Sequence, residues 1–174
     1  IEWYKNTSAQ LKKENGGKVV NAMAFQHIIV QEIYEMMFYE IPFSVGKATL
    51  NFDGQSYTYL PYVYNIKDGI LLEAPCPGYT NYGQFDAFVE TGDVVAVFSG
   101  HDHFNSFTVE KDGVDIVNTP SCPLGSYGDN SNRGIRMLTI NEADTSVYQS
   151  EMLTFTDYIL GDGEYLTEYG DFSK

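Results

Sequence analysis

Two histidines separated by one residue follow a strongly apolar stretch near the middle of the 174-residue chain. The stretch is Val94–Ser99, and it continues as Gly100-His101-Asp102-His103. A run of apolar, mostly β-branched residues predicts a strand buried on both faces, as in sheets that helices cover. The glycine is expected to permit a backbone turn that other residues resist. Neutral imidazole is the commonest protein ligand for transition metals, so this loop is a candidate half of a metal site.

The third histidine of the chain has a similar context. His27 follows residues 19–26, another stretch that predicts a strand. The carboxyl ends of neighbouring parallel strands meet at one edge of a sheet, so the three imidazoles converge if these two strands are neighbours. The alternative is that the histidines are structural or surface residues, and their spacing alone does not decide between the two interpretations.

Both histidine motifs resemble those of a known enzyme family. Residues 25–28 (Phe-Gln-His-Ile) and 100–105 (Gly-His-Asp-His-Phe-Asn) are similar to the last two metal-binding motifs of the calcineurin-like metallophosphoesterases. The closest resemblance is to a microbial branch akin to purple acid phosphatases. It runs from Trp3-Tyr4 through Tyr127-Gly128 to residues 133–136, and so covers most of the chain. The D-x-H, G-D and G-N-H-[DE] motifs with which the family normally begins do not occur in their expected place.

The resemblance implies a fold and a site. Residues 1–174 are expected to form the carboxyl-terminal portion of a single metallophosphoesterase domain, of the α/β (α+β) class, within a four-layer β-sandwich flanked by helices. His27 and His101 resemble ligands of one metal ion and His103 a ligand of another, the two being divalent or trivalent ions of iron, manganese or zinc. Asp102 and Asn105 are expected to steady the loop or orient a histidine by hydrogen bonds. No catalytic residue is assigned within the chain, because the proton donor belongs to the motifs that are missing.

The function that the resemblance implies is metal-dependent hydrolysis of phosphate esters, in which two metal ions hold the phosphoryl group and activate a water. Without the upstream motifs the isolated chain is expected to be inactive or nearly so. It is also expected to associate with the missing amino-terminal half or with a copy of itself. The alternative is a non-catalytic metal-binding or ligand-recognition module that uses its tyrosine-rich loops.

Composition excludes some partners. The net charge of −14, from 10 basic and 24 acidic residues, argues against bulk binding to nucleic acid, whose phosphates need Lys and Arg. No run of about 18 apolar residues predicts a membrane span. Cys76 and Cys122 lack a C-x-x-C spacing. They could form one disulfide or remain two thiols, and thiols are favoured. An extracellular or periplasmic location is only slightly favoured.

The remaining patterns predict the elements that position these residues. Two glycines end a helix over residues 2–15, and Gly92 ends a shorter one over 84–90. Asp112-Gly113 predicts a hairpin between strands 106–111 and 114–118. Two further strands are predicted over 135–140 and 147–155, and a partly irregular insertion over 44–82.

Three charged side chains could contribute to the site but are expected to have simpler roles. Glu32, in the helical or loop-like stretch 28–40, is expected to be a solvated surface residue. Arg133 and Arg136 are the only arginines of the chain. Either could pair with a phosphate, but a salt bridge is the favoured expectation in so acidic a protein.

Overall fold

The computed structural model describes residues 1–40, 48–52, 55–61 and 65–158. These residues form a mixed α/β structure with a four-stranded mixed sheet, a three-stranded antiparallel sheet and a two-stranded antiparallel sheet. In chain order the elements are α1 (Glu2–Glu14), β1 (Ala22–Phe25), α2 (Ile33–Met37), β2 (Phe38–Glu40), β3 (Ala48–Phe52), β4 (Gln55–Pro61), α3 (Gln84–Thr91), β5 (Val94–Ser99), β6 (Thr108–Lys111), β7 (Val114–Asn118), β8 (Gly134–Asn141), β9 (Asp144–Thr154) and α4 (Phe155–Tyr158).

The four-stranded sheet carries both histidine motifs. Its strand order is β1-β5-β7-β6, with β1, β5 and β7 parallel and β6 antiparallel to β7. The last residue of β1, Phe25, is in register with Phe98 of β5. The strands before His27 and His101 are therefore direct neighbours, as the convergence of these histidines requires.

Strand β5 is covered on both faces, which confirms the interpretation of its apolar sequence. On one face Val94 and Val97 belong to the main core with the α2 and α3 side chains Ile33 and Phe85. On the other face a second cluster contains Ala96, Phe98 and Val117, with Leu138 and Tyr148 from β8 and β9 packed against it. Burial on both faces fixes the position of the strand end that leads into the histidine loop.

The hairpin between β6 and β7 also forms as predicted. Asp112 and Gly113 both adopt positive φ angles, of 51° and 81°. Two consecutive positive φ angles are characteristic of the type I′ turn, whose twist matches that of the flanking strands. The two helices at residues 2–14 and 84–91 and the β8–β9 pair likewise agree with the sequence.

The insertion expected over 44–82 is partly irregular where it is described but also contains regular strands, and the expectation for Glu32 is wrong. Strands β3 and β4 form an antiparallel pair that extends to β2, because the alternating tyrosines and threonine of β4 suit a strand. Residues 41–47, 53–54, 62–64 and 159–174 lie outside the described part. Glu32 is not solvated but 6% exposed, and one of its carboxylate oxygens accepts a hydrogen bond from the Asn81 amide at 2.7 Å.

Both cysteines carry free thiols, as favoured from their spacing. None of the helices within the described ranges is both long enough and apolar enough to cross a membrane.

Helix α1 packs against α3 and the residue that precedes β5, and Tyr4 makes a central contact there. Its ring meets Phe88 edge-on with centroids 5.3 Å apart, and its hydroxyl lies 2.6 Å from Thr91 Oγ1. The hydroxyl also donates a hydrogen bond to the carboxylate of Asp93. Burial, together with the hydrogen bond to Asp93, raises the pKa of Tyr4 to about 12.

We expect Tyr4→Phe to lower the free energy of unfolding by about 1–2 kcal/mol, because it removes the hydrogen bond to a carboxylate. The raised pKa in the folded state means that this contribution is complete below pH 10 and is lost as the pH rises towards 12. Urea unfolding of both proteins should give a constant difference between about pH 6 and pH 9 that shrinks above pH 10. Tyr79→Phe, at a residue 82% exposed, is the control and should change little. A difference that stays constant through pH 12 contradicts the expectation.

Candidate metal-binding site

The edge of the four-stranded sheet brings His27 and His101 into contact. The ladder between β1 and β5 continues past Phe25, and the carbonyl oxygen of His27 then accepts hydrogen bonds from the backbone N–H groups of Gly100, at 3.2 Å, and His101, at 3.0 Å. These bonds place His27 Nε2 3.1 Å from His101 Nδ1, with ring centroids 4.9 Å apart. Two imidazoles separated by 74 positions in sequence are thus presented together.

The separation of these two nitrogens suits a shared cation. Two ligands at about 2.1 Å from one tetrahedral ion lie about 3.4 Å apart, close to the observed 3.1 Å. The same separation suits an N–H···N hydrogen bond in which one ring donates. The pair can therefore hold a proton or, after losing it, provide two nitrogen ligands to one metal ion.

His103 has a different set of partners. Its Nδ1 lies 2.9 Å from the carbonyl oxygen of Tyr127 and 3.1 Å from Ser126 Oγ, and its ring stacks on that of Tyr127 with centroids 3.9 Å apart. A carbonyl oxygen has no hydrogen, so Nδ1 must donate. The proton then sits on Nδ1 and the lone pair on Nε2, which is the arrangement of histidines that bind metals through Nε2.

Asp102 and Asn105 join the histidine loop to the backbone of residues 72–76. The Asp102 carboxylate accepts a hydrogen bond from the N–H of Cys76 at 3.1 Å and is 2% exposed. Burial raises the pKa of its carboxyl to about 6. Asn105, which is fully buried, accepts hydrogen bonds from the N–H groups of Leu72 and Glu73 and donates one to the Glu73 carbonyl, at 2.9–3.0 Å. Both side chains thereby hold the loop in place.

Several residues of the site carried no clear sequence signal. The Glu73 carboxylate accepts a hydrogen bond at 2.8 Å from the N–H of Phe104, within the histidine loop. Ser126 and Tyr127 provide the partners of His103. A single acid in a loop, or one tyrosine among 14, has no pattern that distinguishes it, and Tyr127 was marked only by the family resemblance.

The two arginines bind backbone carbonyls. The salt bridges expected for them are not found among the described side chains. The ion pairs of that part of the chain involve Lys5, Lys67 and Lys111 instead. Arg136 donates to the carbonyl oxygens of Ser106, at 2.8 Å, and Asn118, at 3.2 Å. Its burial lowers the pKa of the guanidinium. Neither arginine therefore neutralises a carboxylate in the described structure.

Gly100 does not use the conformational freedom expected of it. Its φ angle is not among the positive ones, and an added Cβ would meet only Thr119 O, at an ordinary 3.7 Å. The turn into the histidine loop is therefore open to other residues. The hydrogen bonds to His27 O, rather than an unusual backbone angle, produce it.

No group of three or more His, Cys, Asp or Glu side chains within residues 1–37 and 65–157 has the arrangement of a metal site. The described chain instead provides a nitrogen pair from His27 and His101 and a single nitrogen, Nε2, from His103. These donors would suffice only for partial metal sites that require further ligands. The assignment of the three histidines as metal ligands stays a prediction.

Comparison with known proteins gives two relatives. The chain resembles plant purple acid phosphatase-like proteins. It is 28% identical over 132 residues to "Probable inactive purple acid phosphatase 29" of Arabidopsis thaliana. This alignment covers 72% of this chain and 26% of that protein. It is 38% identical over 60 residues to "Probable inactive purple acid phosphatase 14" of the same plant, covering 34% of this chain and 15% of that protein.

These similarities support a relationship to the calcineurin-like phosphoesterase superfamily. The matched region spans only 26% and 15% of the length of the two relatives. No family model matches the chain, and no solved structure matches it. The four-layer sandwich and the microbial branch stay predictions.

Proposed function

We propose that this chain is the carboxyl-terminal portion of a metal-dependent phosphoester hydrolase and carries its last two metal-binding motifs. The observation that carries the proposal is the 3.1 Å approach of His27 Nε2 to His101 Nδ1 at the carboxyl ends of adjacent parallel strands. The similarity to purple acid phosphatase-like proteins gives the pair its chemical context. Phosphate monoesters or diesters are the proposed substrates.

The residues of this chain have separate roles in the proposal. His27 and His101 would provide two nitrogen ligands to one cation, and His103 Nε2 one ligand to another. Two iron, manganese or zinc ions, when bound, would supply Lewis acidity for a phosphoryl oxygen and would activate a water. Asp102 and Asn105 hold the loop through the backbone of residues 72–76. The remaining ligands and the proton donor for the leaving group would come from an amino-terminal half or from an associated second chain.

A second candidate function is a non-catalytic metal-binding or recognition module. The observation that favours it is the word "inactive" in the names of both relatives. It predicts that the histidines bind metal without turnover, and that the exposed Tyr79 and Tyr82 contact a ligand.

Activity assays of a longer polypeptide that includes the upstream motifs distinguish the two functions. Loaded with manganese, iron or zinc, it should hydrolyse p-nitrophenyl phosphate, and His101→Ala should lower the rate about 100-fold or more, since each metal contributes several kcal/mol. The control Val147→Ala, at a residue of β9 that is 55% exposed and lies outside the histidine site, should retain the rate. The isolated 174-residue chain should be nearly inactive with the same metals.

Two results would count against the hydrolase, and a third would count only against the need for an upstream half. A longer polypeptide that binds metal through the histidines but never turns over favours the recognition module. One that neither binds metal nor hydrolyses the ester contradicts the hydrolase and leaves only a recognition module that binds no metal. Appreciable turnover by the isolated chain that disappears in His101→Ala would show that no upstream half is needed.

A further inference from the structure

Arg133 is a buried guanidinium surrounded by the loop that contacts His103. It is 3% exposed. It donates to the carbonyl oxygens of Pro123 at 2.6 Å, of Ser126, and of Gly128 at 3.4 Å. It also donates to Ser121 Oγ at 3.2 Å and Asn130 Oδ1 at 2.9 Å. A buried charge is tolerated only when its donors are satisfied, and here loop oxygens satisfy them.

The carbonyls that Arg133 binds lie on both sides of Tyr127. The Ser126 carbonyl precedes that residue and the Gly128 carbonyl follows it. Because the two flanking peptide units are held by one planar group, the orientation of the Tyr127 carbonyl between them is restricted. That carbonyl is the acceptor 2.9 Å from His103 Nδ1.

The loop is shaped closely around the guanidinium. Gly128 has a φ of +152°, and a Cβ added there would lie 3.2 Å from Arg133 Cζ. Gly125, in the same loop, has no atom within 4 Å of its added Cβ and no positive φ. The close contact is therefore local to the turn beside Tyr127.

We propose that Arg133 is a positioning residue: it sets the Tyr127 carbonyl so that His103 keeps its proton on Nδ1 and presents Nε2. The inference rests on the proposed function only for the use of that nitrogen as a metal ligand. The position of the proton is a property of the metal-free chain.

The test is the protonated nitrogen of each histidine, measured by NMR on the ¹⁵N-histidine-labelled, metal-free chain at about pH 8, where free imidazole is neutral. In the wild type, His103 should carry its proton on Nδ1. Arg133→Lys, which cannot reproduce the planar fork, and Gly128→Ala, which displaces the guanidinium, should each lower the Nδ1–H to Nε2–H ratio at His103 about fivefold, the effect of losing one hydrogen bond.

Gly125→Ala and Arg136→Lys are the controls and should leave the His103 ratio unchanged, and the His27 and His101 signals should not respond in any variant. A wild-type His103 with its proton on Nε2 overturns the proposal at once, whether or not the variants fold. A folded Gly128→Ala or Arg133→Lys with an unchanged ratio overturns it as well. Neither result depends on hydrolysis, so failure here is distinct from failure of the proposed function.

Discussion

Gly69→Ala should lower the free energy of unfolding by about 2–4 kcal/mol, because overpacking typically costs about 1–3 kcal/mol and the left-handed backbone angle about 1 kcal/mol more. A Cβ at this position would lie 1.9 Å from the carbonyl oxygen of Ser106, a residue whose own N–H is held by Ile70 O. The glycine lies where residues 67–70 pair antiparallel with residues 106–108: Thr108 N–H donates to Asp68 O at 2.8 Å, and Ser106 N–H donates to Ile70 O at 3.0 Å. The added methyl group must disrupt this pairing.

Gly113→Ala is a matched control. Gly113 has nearly the same backbone angle, φ +81° against +80° for Gly69, but no atom lies within 4 Å of its added Cβ. Gly113→Ala should therefore lower the free energy of unfolding by only about 1 kcal/mol, the cost of holding a residue with a side chain at a left-handed backbone angle. The difference between the two variants isolates the close approach to Ser106 from the backbone angle.

Urea denaturation monitored by the far-ultraviolet signal measures both variants. Gly69→Ala should in addition loosen the histidine loop. The reason is that the backbone N–H groups of Leu72 and Glu73, three and four positions further along the chain, donate hydrogen bonds to Asn105 Oδ1 in that loop. Faster amide hydrogen exchange at residues 101–105 would show this. Equal losses of stability in the two variants would mean that the segment is not held as closely as described.

His101→Ala should weaken binding of a transition metal by about 100-fold, at least as much as the loss of an outer hydrogen bond to a ligand. The expectation follows from the pairing of His27 Nε2 with His101 Nδ1. With one ring removed, the other is a single imidazole, which holds a cation far less firmly than two. Titration of zinc or manganese into the chain by calorimetry measures this, in a Cys76→Ser background because that thiol is exposed.

A double-mutant cycle tests whether the two rings bind one ion. His27→Ala and His101→Ala together should weaken binding little more than either alone, because each already disrupts the same site. His103→Ala combined with either should be nearly additive, since His103 contacts Tyr127 instead. Additive effects of His27→Ala and His101→Ala would contradict a shared cation.

The sequence was sufficient to predict those helices, strands and turns whose signal lies within one short stretch of residues. The apolar run of β5, the Asp112-Gly113 hairpin and the helix ended by Gly92 all form as predicted. The apolar composition of a strand and the positive φ angles of a turn are properties of the short stretch itself, so its residues predict them. The three-stranded sheet was not foreseen, because in that stretch glycine and proline turn signals outweighed the strand pattern.

For the site, the sequence determined which residues are able to bind metal: His27, His101 and His103, each just past a strand. Only the tertiary structure decided that two of these rings meet while the third faces a carbonyl oxygen. It also decided that Arg133 binds loop carbonyls rather than an acid. The physical reason is that residue type sets what a side chain can bind, whereas the position of its partner depends on segments far apart in sequence and packed against one another.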